Sequence, residues 1–205
     1  MKKHIIFLLA ITVLFTSCYV DYDLEKSVFI EDSEFEGLPI YSEWGYNTFG
    51  AYYDRKAFVS NNEDIPLKII STDNTTTFIF KGELLNTDEY PYSRYNEGDM
   101  LMKLIIENLE FGEYSDLTIL NKTKYNLLNS DLKISIDIDG EFEDVEIIDG
   151  EFEFVKAQFL LVDNEQKGLI LSGLFDFKFL INDEPISISH GRFDMNVNEE
   201  VFFSF

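Results

Sequence analysis

Leu132-Lys133-Ile134-Ser135-Ile136-Asp137-Ile138-Asp139 is the stretch that decides the fold. Leu132, Ile134, Ile136 and Ile138 are apolar, and the residues between them are polar. A two-residue period is the pattern of a strand with one face buried and one wet, whereas a helix would place apolar residues three and four apart. Comparable runs lie outward in both directions, at 49–58, 67–71, 77–84, 116–120, 151–162, 169–180, 185–197 and 201–205. Residues 100–109 are apolar enough for a buried strand or a short helix, and are read as a strand. Turn-forming residues separate most of these runs. Short strands with no long helical pattern between them predict an all-β domain, an antiparallel sandwich or barrel of about 8–10 strands.

Two local features follow from the same alternation. Along 185–197 the apolar residues are even-numbered at Ile186 and Ile188 and odd-numbered at Phe193, Met195 and Val197. A change of parity needs one extra residue; His190-Gly191 sits at the change, so a β-bulge is expected at Gly191, with glycine supplying the unusual backbone. Asp149-Gly150 is a dipeptide favoured in two-residue hairpin turns. A turn there would set Ile147 opposite Phe152, Val145 opposite Phe154 and Glu143 opposite Lys156. The same pentapeptide, Asp-Gly-Glu-Phe-Glu, occupies 139–143 and 149–153, which is too little to define a repeat fold.

The start of the chain has a different character. Lys2, Lys3 and His4 precede eleven apolar residues, Ile5 to Phe15, and then Thr16-Ser17-Cys18. This is the three-part plan of a secretory signal, and the apolar run is about half the roughly 20 residues a spanning helix needs. Leu14-Phe15-Thr16-Ser17-Cys18 resembles the lipobox of bacterial lipoproteins, in which the cysteine receives the lipid. Cys18 is the one cysteine of the 205 residues, so no disulfide can form within the chain. In that resemblance Tyr19, where an inner-membrane retention signal would show Asp, implies the outer membrane. Asp21, Asp23 and Glu25 look like acidic surface-export signals. The expected organisation is a signal peptide over 1–17, a lipidated cysteine and acidic tether over 18–45, and a single β domain over 46–205. Gly37 and Pro39 break any regular element in the tether, and an edge strand laid on the fold is the alternative.

Removal of residues 1–17 takes away Lys2 and Lys3 and no acid, leaving 14 basic and 39 acidic side chains and a net charge of −25. Free nucleic acid is therefore excluded as a partner, since phosphate recognition needs clustered Lys and Arg. The charge does not signal disorder, because 45% of residues are apolar and 20 are Phe.

Little in the residue inventory points to catalysis. Beyond the signal His190 is the one histidine and no further cysteine exists, which excludes thiol chemistry and zinc sites built from several His or Cys ligands. Neither a Gly-x-Ser-x-Gly elbow nor a phosphate-binding glycine loop is present. Asp137, Asp139 and Glu141, with Asp149 and Glu151 nearby, are weak candidates for a hard cation such as Ca²⁺, but an EF-hand pattern fails at Phe142 and a solvated acidic face is the plainer reading. No catalytic residue and no cofactor is assigned, although 39 acids leave room for a glycosidase pair. Trp44, Tyr46, Tyr52 and Tyr53 are weak candidates for stacking on a ligand, with Tyr41, Tyr90, Tyr92 and Tyr95 as further aromatics; core packing is the alternative.

Leu171-Ser172-Gly173-Leu174-Phe175-Asp176-Phe177, followed by Ile186-Ser187-Ile188-Ser189-His190-Gly191-Arg192-Phe193-Asp194, resembles a family of uncharacterised Bacteroidota outer-membrane lipoproteins. Members read Ser-Gly-x-Phe-x-Phe, a turn, then an alternating strand into Gly-Arg-Phe-Asp. Asn47-Thr48-Phe49-Gly50-Ala51-Tyr52 resembles that family's first hairpin, and Gly112-Glu113-Tyr114 a mid-domain turn. The resemblance implies a location and a fold but no reaction. Arg192 and Asp194, two apart, face one side and are read as a structural charge pair. The expected function is a lipid-anchored envelope protein with a non-catalytic β domain for binding, its partner the membrane through its lipid and its ligand unknown; the alternatives are a glycan-binding accessory lipoprotein and an acidic inhibitor or immunity-type protein against a basic partner, and oligomeric state is left open.

Overall fold

The computed structural model describes residues 27–60, 65–85, 96–138, 141–181 and 183–205. Cys18 and the expected signal over 1–17, with Asp139, Tyr90, Tyr92 and Tyr95, lie outside the described residues. Among the described residues twelve strands form: β1 Thr48–Tyr53, β2 Lys56–Val59, β3 Leu67–Thr72, β4 Thr75–Leu85, β5 Asn96–Glu107, β6 Thr123–Asn126, β7 Leu132–Ile138, β8 Glu141–Asp144, β9 Glu146–Val162, β10 Glu165–Ile181, β11 Glu184–Val197 and β12 Phe202–Ser204. They join in one sheet ordered β6-β9-β10-β11-β1-β2-β4-β5-β7-β8, with β3 on β4 and β12 parallel to β3. The protein is all-β, a single curled mixed sheet in the form of a half-barrel.

Phenylalanine drives the curl. Phe78 on β4 and Phe154 on β9 have ring centroids 5.4 Å apart, although five strand spacings of about 4.8 Å separate them along the sheet. The sheet must bend until its inner faces meet. Phe49, Phe80, Phe175, Phe193 and Phe152 fill the space between, with centroid separations such as 5.1 Å for Phe49–Phe80 and 5.4 Å for Phe152–Phe175. Offset and edge-on aromatic pairs of this kind contribute about 0.5–1.5 kcal/mol each beyond burial of their area. The ends of the sheet are drawn together as well: Asp144 ends β8 near one end, Glu146 begins β9 near the other, and Val145 alone connects them.

Several expectations need correction. Residues 116–120 form a 3-10 helix, Tyr114–Leu120, because the Asp116 carboxylate accepts the Gly112 and Glu113 N–H groups at 3.0 and 3.1 Å and turns the chain. The run 49–58 is two strands, with Asp54 at φ 56° in the turn between them. Asp149-Gly150 is no hairpin, since β9 runs through it and pairs Gly150 with Phe177 of β10. Gly150 is at φ 138°, and a Cβ there would lie 2.3 Å from that of Phe177, so the glycine permits close approach of two strands. Lys156 consequently faces Ser172, not Glu143. The ladder between β7 and β8 pairs Ile138 with Glu141.

The bulge on β11 is present. One residue of β1, Ala51, opposes two of β11 between the pairs Gly50–Arg192 and Tyr52–Ser189, and β10 shows the same offset. His190, at φ 55°, takes the left-handed backbone expected of Gly191. Glycine is required at 191 for space, as a Cβ there would fall 2.3 Å from the Phe175 ring.

Candidate functional site

Residues 27–46, of which 27–45 were expected to belong to the acidic tether, form a strap across the outer face of β11 and β1. Gly37, at φ 79°, turns the chain and donates its N–H to Glu31 Oε1 at 2.9 Å. The returning limb then bonds the outgoing one through Asp32 N–H to Leu38 O at 2.8 Å, Ile40 N–H to Ile30 O at 2.7 Å and Val28 N–H to Tyr46 O at 2.8 Å. Leu38 is fully buried with Ala57 and Val59, and Phe29, Phe35, Tyr52 and Leu85 pack round them as a second small core. Burying a leucine side chain contributes about 1.5–3 kcal/mol, enough to hold a short segment that a run of acids alone would leave in solvent.

Two alternate side chains of β11, those of Arg192 and Asp194, bond the strap. Arg192 reaches Asp32 with Nη1 2.6 Å from Oδ2, donates Nε–H to His190 O at 3.1 Å, and lies 4.8 Å from the centroid of Phe35. The Asp194 carboxylate accepts the Ser42 hydroxyl and the N–H groups of Trp44, Gly45 and Tyr46 at 3.1, 2.7 and 3.2 Å. Asn196 donates its N–H to Asn47 Oδ1 at 2.8 Å. Arg192 and Asp194 thus share a face as expected, but each is engaged by the strap. The Glu34 N–H first, and the Arg192 guanidinium after it, hold the Asp32 carboxyl below the ordinary carboxylate range against the opposing effect of burial.

A polar network continues onto β9 and β10. The Tyr41 hydroxyl lies 3.4 Å from Ser172 Oγ and donates to Glu43 Oε1 at 3.3 Å, while Lys156 donates to Glu43 O at 3.0 Å. Burial first, with the Glu43 and Asp194 charges adding to it, raises the Tyr41 phenol to about 12, so it stays protonated at neutral pH. Ser172 and Lys156 are cross-strand neighbours, a pairing that can serve nucleophilic chemistry where a substrate reaches it. Here Ser172 is 0% exposed beneath Tyr41, and the network fastens the strap.

The remaining candidates are dispersed. Trp44 is 69% exposed on the strap, beside half-buried Tyr46. Tyr52 faces the strap, with its hydroxyl on Glu36 O at 2.8 Å, and Tyr53 packs on the core near Phe179. The four aromatics therefore do not form one platform. Asp137 is buried on β7, Asp149 is exposed on β9, and Glu151 pairs with Lys124 at 2.7 Å; Glu141 lies on β8. Among the described residues no three His, Cys, Asp or Glu side chains are grouped to hold a metal. His190 sits with its ring 4.4 Å from Phe35 and 5.9 Å from Tyr52, and its N–H bonds Asp176 at 2.8 Å.

Sequence reasoning missed Asp32 and Ser172 as parts of this face. The alternation of Arg192 and Asp194 on a strand whose other face is apolar was the available signal, because two charged side chains on a central strand need a cover that bonds them. No protein-family model matches the chain, and neither curated proteins nor solved structures give a match to it.

Proposed function

We propose that this chain is a lipid-anchored protein of the bacterial outer membrane whose β domain acts by binding, with no catalysis of its own. The observation that carries this reading is the leader ending at Cys18, followed after eight residues by a strap locked to the domain. An acyl chain on Cys18 would contribute about 0.8 kcal/mol per buried CH₂, so several chains together hold a protein to a bilayer durably. The strap supports the reading because it passes any pull on the anchor into β11 at the middle of the sheet, away from its edges. Among the described residues no helix is long and apolar enough to cross a membrane, so attachment in this reading rests on the lipid.

Labelled palmitate is expected to enter the full chain and to be lost in Cys18→Ala. Incorporation that persists in that variant removes the anchoring. For the ligand, the net charge of −25 favours a cationic protein over a glycan, and dispersal of Trp44, Tyr46, Tyr52 and Tyr53 weakens the glycan alternative. Capture of partners from envelope extract on the detergent-solubilised full chain should be salt-sensitive. Salt-resistant retention on a polysaccharide would favour the glycan.

A further inference from the structure

The hairpin of β9 and β10 continues beyond the body of the sheet. Val162 pairs with Glu165 across Asp163 and Asn164, whose φ values of 53° and 66° make a tight two-residue turn. Below the turn the segment Ala157-Gln158-Phe159-Leu160-Leu161-Val162 carries no charge, in a chain with 39 acids. Phe159 is 40%, Leu161 63% and Val162 38% exposed. Phe159 and Leu161 lie on the inner face with buried Ala157, but at the end where the core has run out. The β6 ladder on β9 stops at Phe154 and the Ala157 N–H bonds Asn121 Oδ1 at 3.0 Å; beyond that, among the described residues, no strand pairs with this edge. At the tip Lys167 pairs with Glu165 at 2.6 Å, which leaves Asp163 as the uncompensated charge.

The strap fixes the end of the molecule toward which Ser27 lies. Asp32 is at Arg192, whereas Val28 is bonded to Tyr46, whose own N–H bonds Asp194; traced toward the N-terminus, the strap therefore runs along β11 toward Val197. Through the register, Val197 pairs with Leu169 and Leu169 with Phe159. Ser27, the first described residue, thus lies toward the end from which the apolar hairpin projects. Nine steps separate Ser27 from Cys18, a reach of at most about 32 Å whatever their conformation. Val162 stands three residues beyond Phe159, about 10 Å farther out along the strand.

We infer that this hairpin end, through Phe159, Leu161 and Val162, is a membrane-contact surface that enters the interface of the bilayer to which Cys18 is anchored. The inference rests on the lipid anchoring proposed above. A short lead brings the apolar side chains of this end to the bilayer, and they then leave water with no separate cost of bringing the protein there. Lipid is the occupant the layout favours over a second copy, because the exposed apolar end coincides with the anchored end while the rest of the chain is strongly acidic.

The test uses the full lipidated chain in vesicles of phosphatidylcholine and phosphatidylethanolamine. Because Cys18 is consumed by the lipid, Leu161→Cys provides a single thiol for a polarity-sensitive fluorophore, and Asp183→Cys, past the far end of the seventeen-residue β10, provides the control. The label at 161 should shift to the blue and lose most of its emission to brominated lipid, while the label at 183 keeps a water-like spectrum. Equal, water-like spectra at both sites on vesicles that carry the protein would overturn the membrane contact and leave the anchor standing. Failure of the protein to float with the vesicles would instead overturn the anchor, and the contact with it. Shielding at 161 that persists in detergent and grows with protein concentration would assign the surface to a second copy and overturn the inference. Phe159→Ser with Leu161→Ser, on the exposed end outside the ladder of β6, should remain folded and anchored yet become far more accessible to protease on vesicles.

Discussion

Arg192 Nη1 stands 2.6 Å from Asp32 Oδ2 across 160 residues of chain, with side-chain exposures of 8% and 18%. The pair is the charged half of a clamp, and the Asp194 carboxylate with its cap of N–H groups is the other. Both charged groups project from the outer face of β11, whose inner face supplies Phe193 and Met195 to the core. A single strand thereby ties the start of the domain to its centre.

Removing one member of a largely buried pair strands the other. Arg192→Ala is expected to cost about 3 kcal/mol in urea unfolding, since Asp32 loses its counterion and Phe35 its cation. Asp32→Asn should cost less, about 1–2 kcal/mol, as the amide oxygen still accepts the Glu34 N–H. Equal and negligible losses in both variants would show that the clamp does not hold the strap.

Asp194→Asn retains the shape of the carboxylate and removes its charge. Hydrogen exchange at Trp44, Gly45 and Tyr46 should accelerate while the β9–β10 ladder stays protected, with a global loss of about 1–2 kcal/mol. Uniform acceleration through all strands would mean that strap and sheet open together.

Acid should loosen the strap first. Asp32 is held below its ordinary range when folded, so its contribution is complete above the unfolded value near pH 4 and is lost as pH falls through the folded value. Exchange of strap amides measured between pH 5 and about 2 should rise on the acid side, and Asp32→Asn should remove that rise. A pH profile identical in the two proteins would rule the mechanism out.

Gly191→Ala and Gly150→Ala should each cost about 2–3 kcal/mol or more, the first by driving a methyl into the Phe175 ring and the second by placing it on Phe177. Thermal melts of both should show the loss. If Gly191→Ala is neutral, the close packing of the bulge on that ring is not needed.

Alternation made the strands legible because the period is local: whether Ile134 or Ser135 faces inward depends on its neighbours and one wet surface. The bulge was legible for the same reason, from the parity of Ile188 and Phe193. Asp149-Gly150 misled because a favourable turn dipeptide is worth little against the ladder that β10 offers along the whole of β9. Asp116 misled in the other direction, since one carboxylate capturing two N–H groups sufficed to turn a strand-like run into a 3-10 helix.

On its own, the order of residues determined the class of fold, through the alternation of its strands, and the acidic balance of the chain. Tertiary structure alone decided that the acids from Glu31 to Glu43 belong to the domain, that Arg192 and Asp194 hold the strap, and that the aromatic candidates stand apart. The physical reason is range: strand patterning is a matter of adjacent side chains and water, whereas a contact between residues 32 and 192 exists only once the sheet between them has curled.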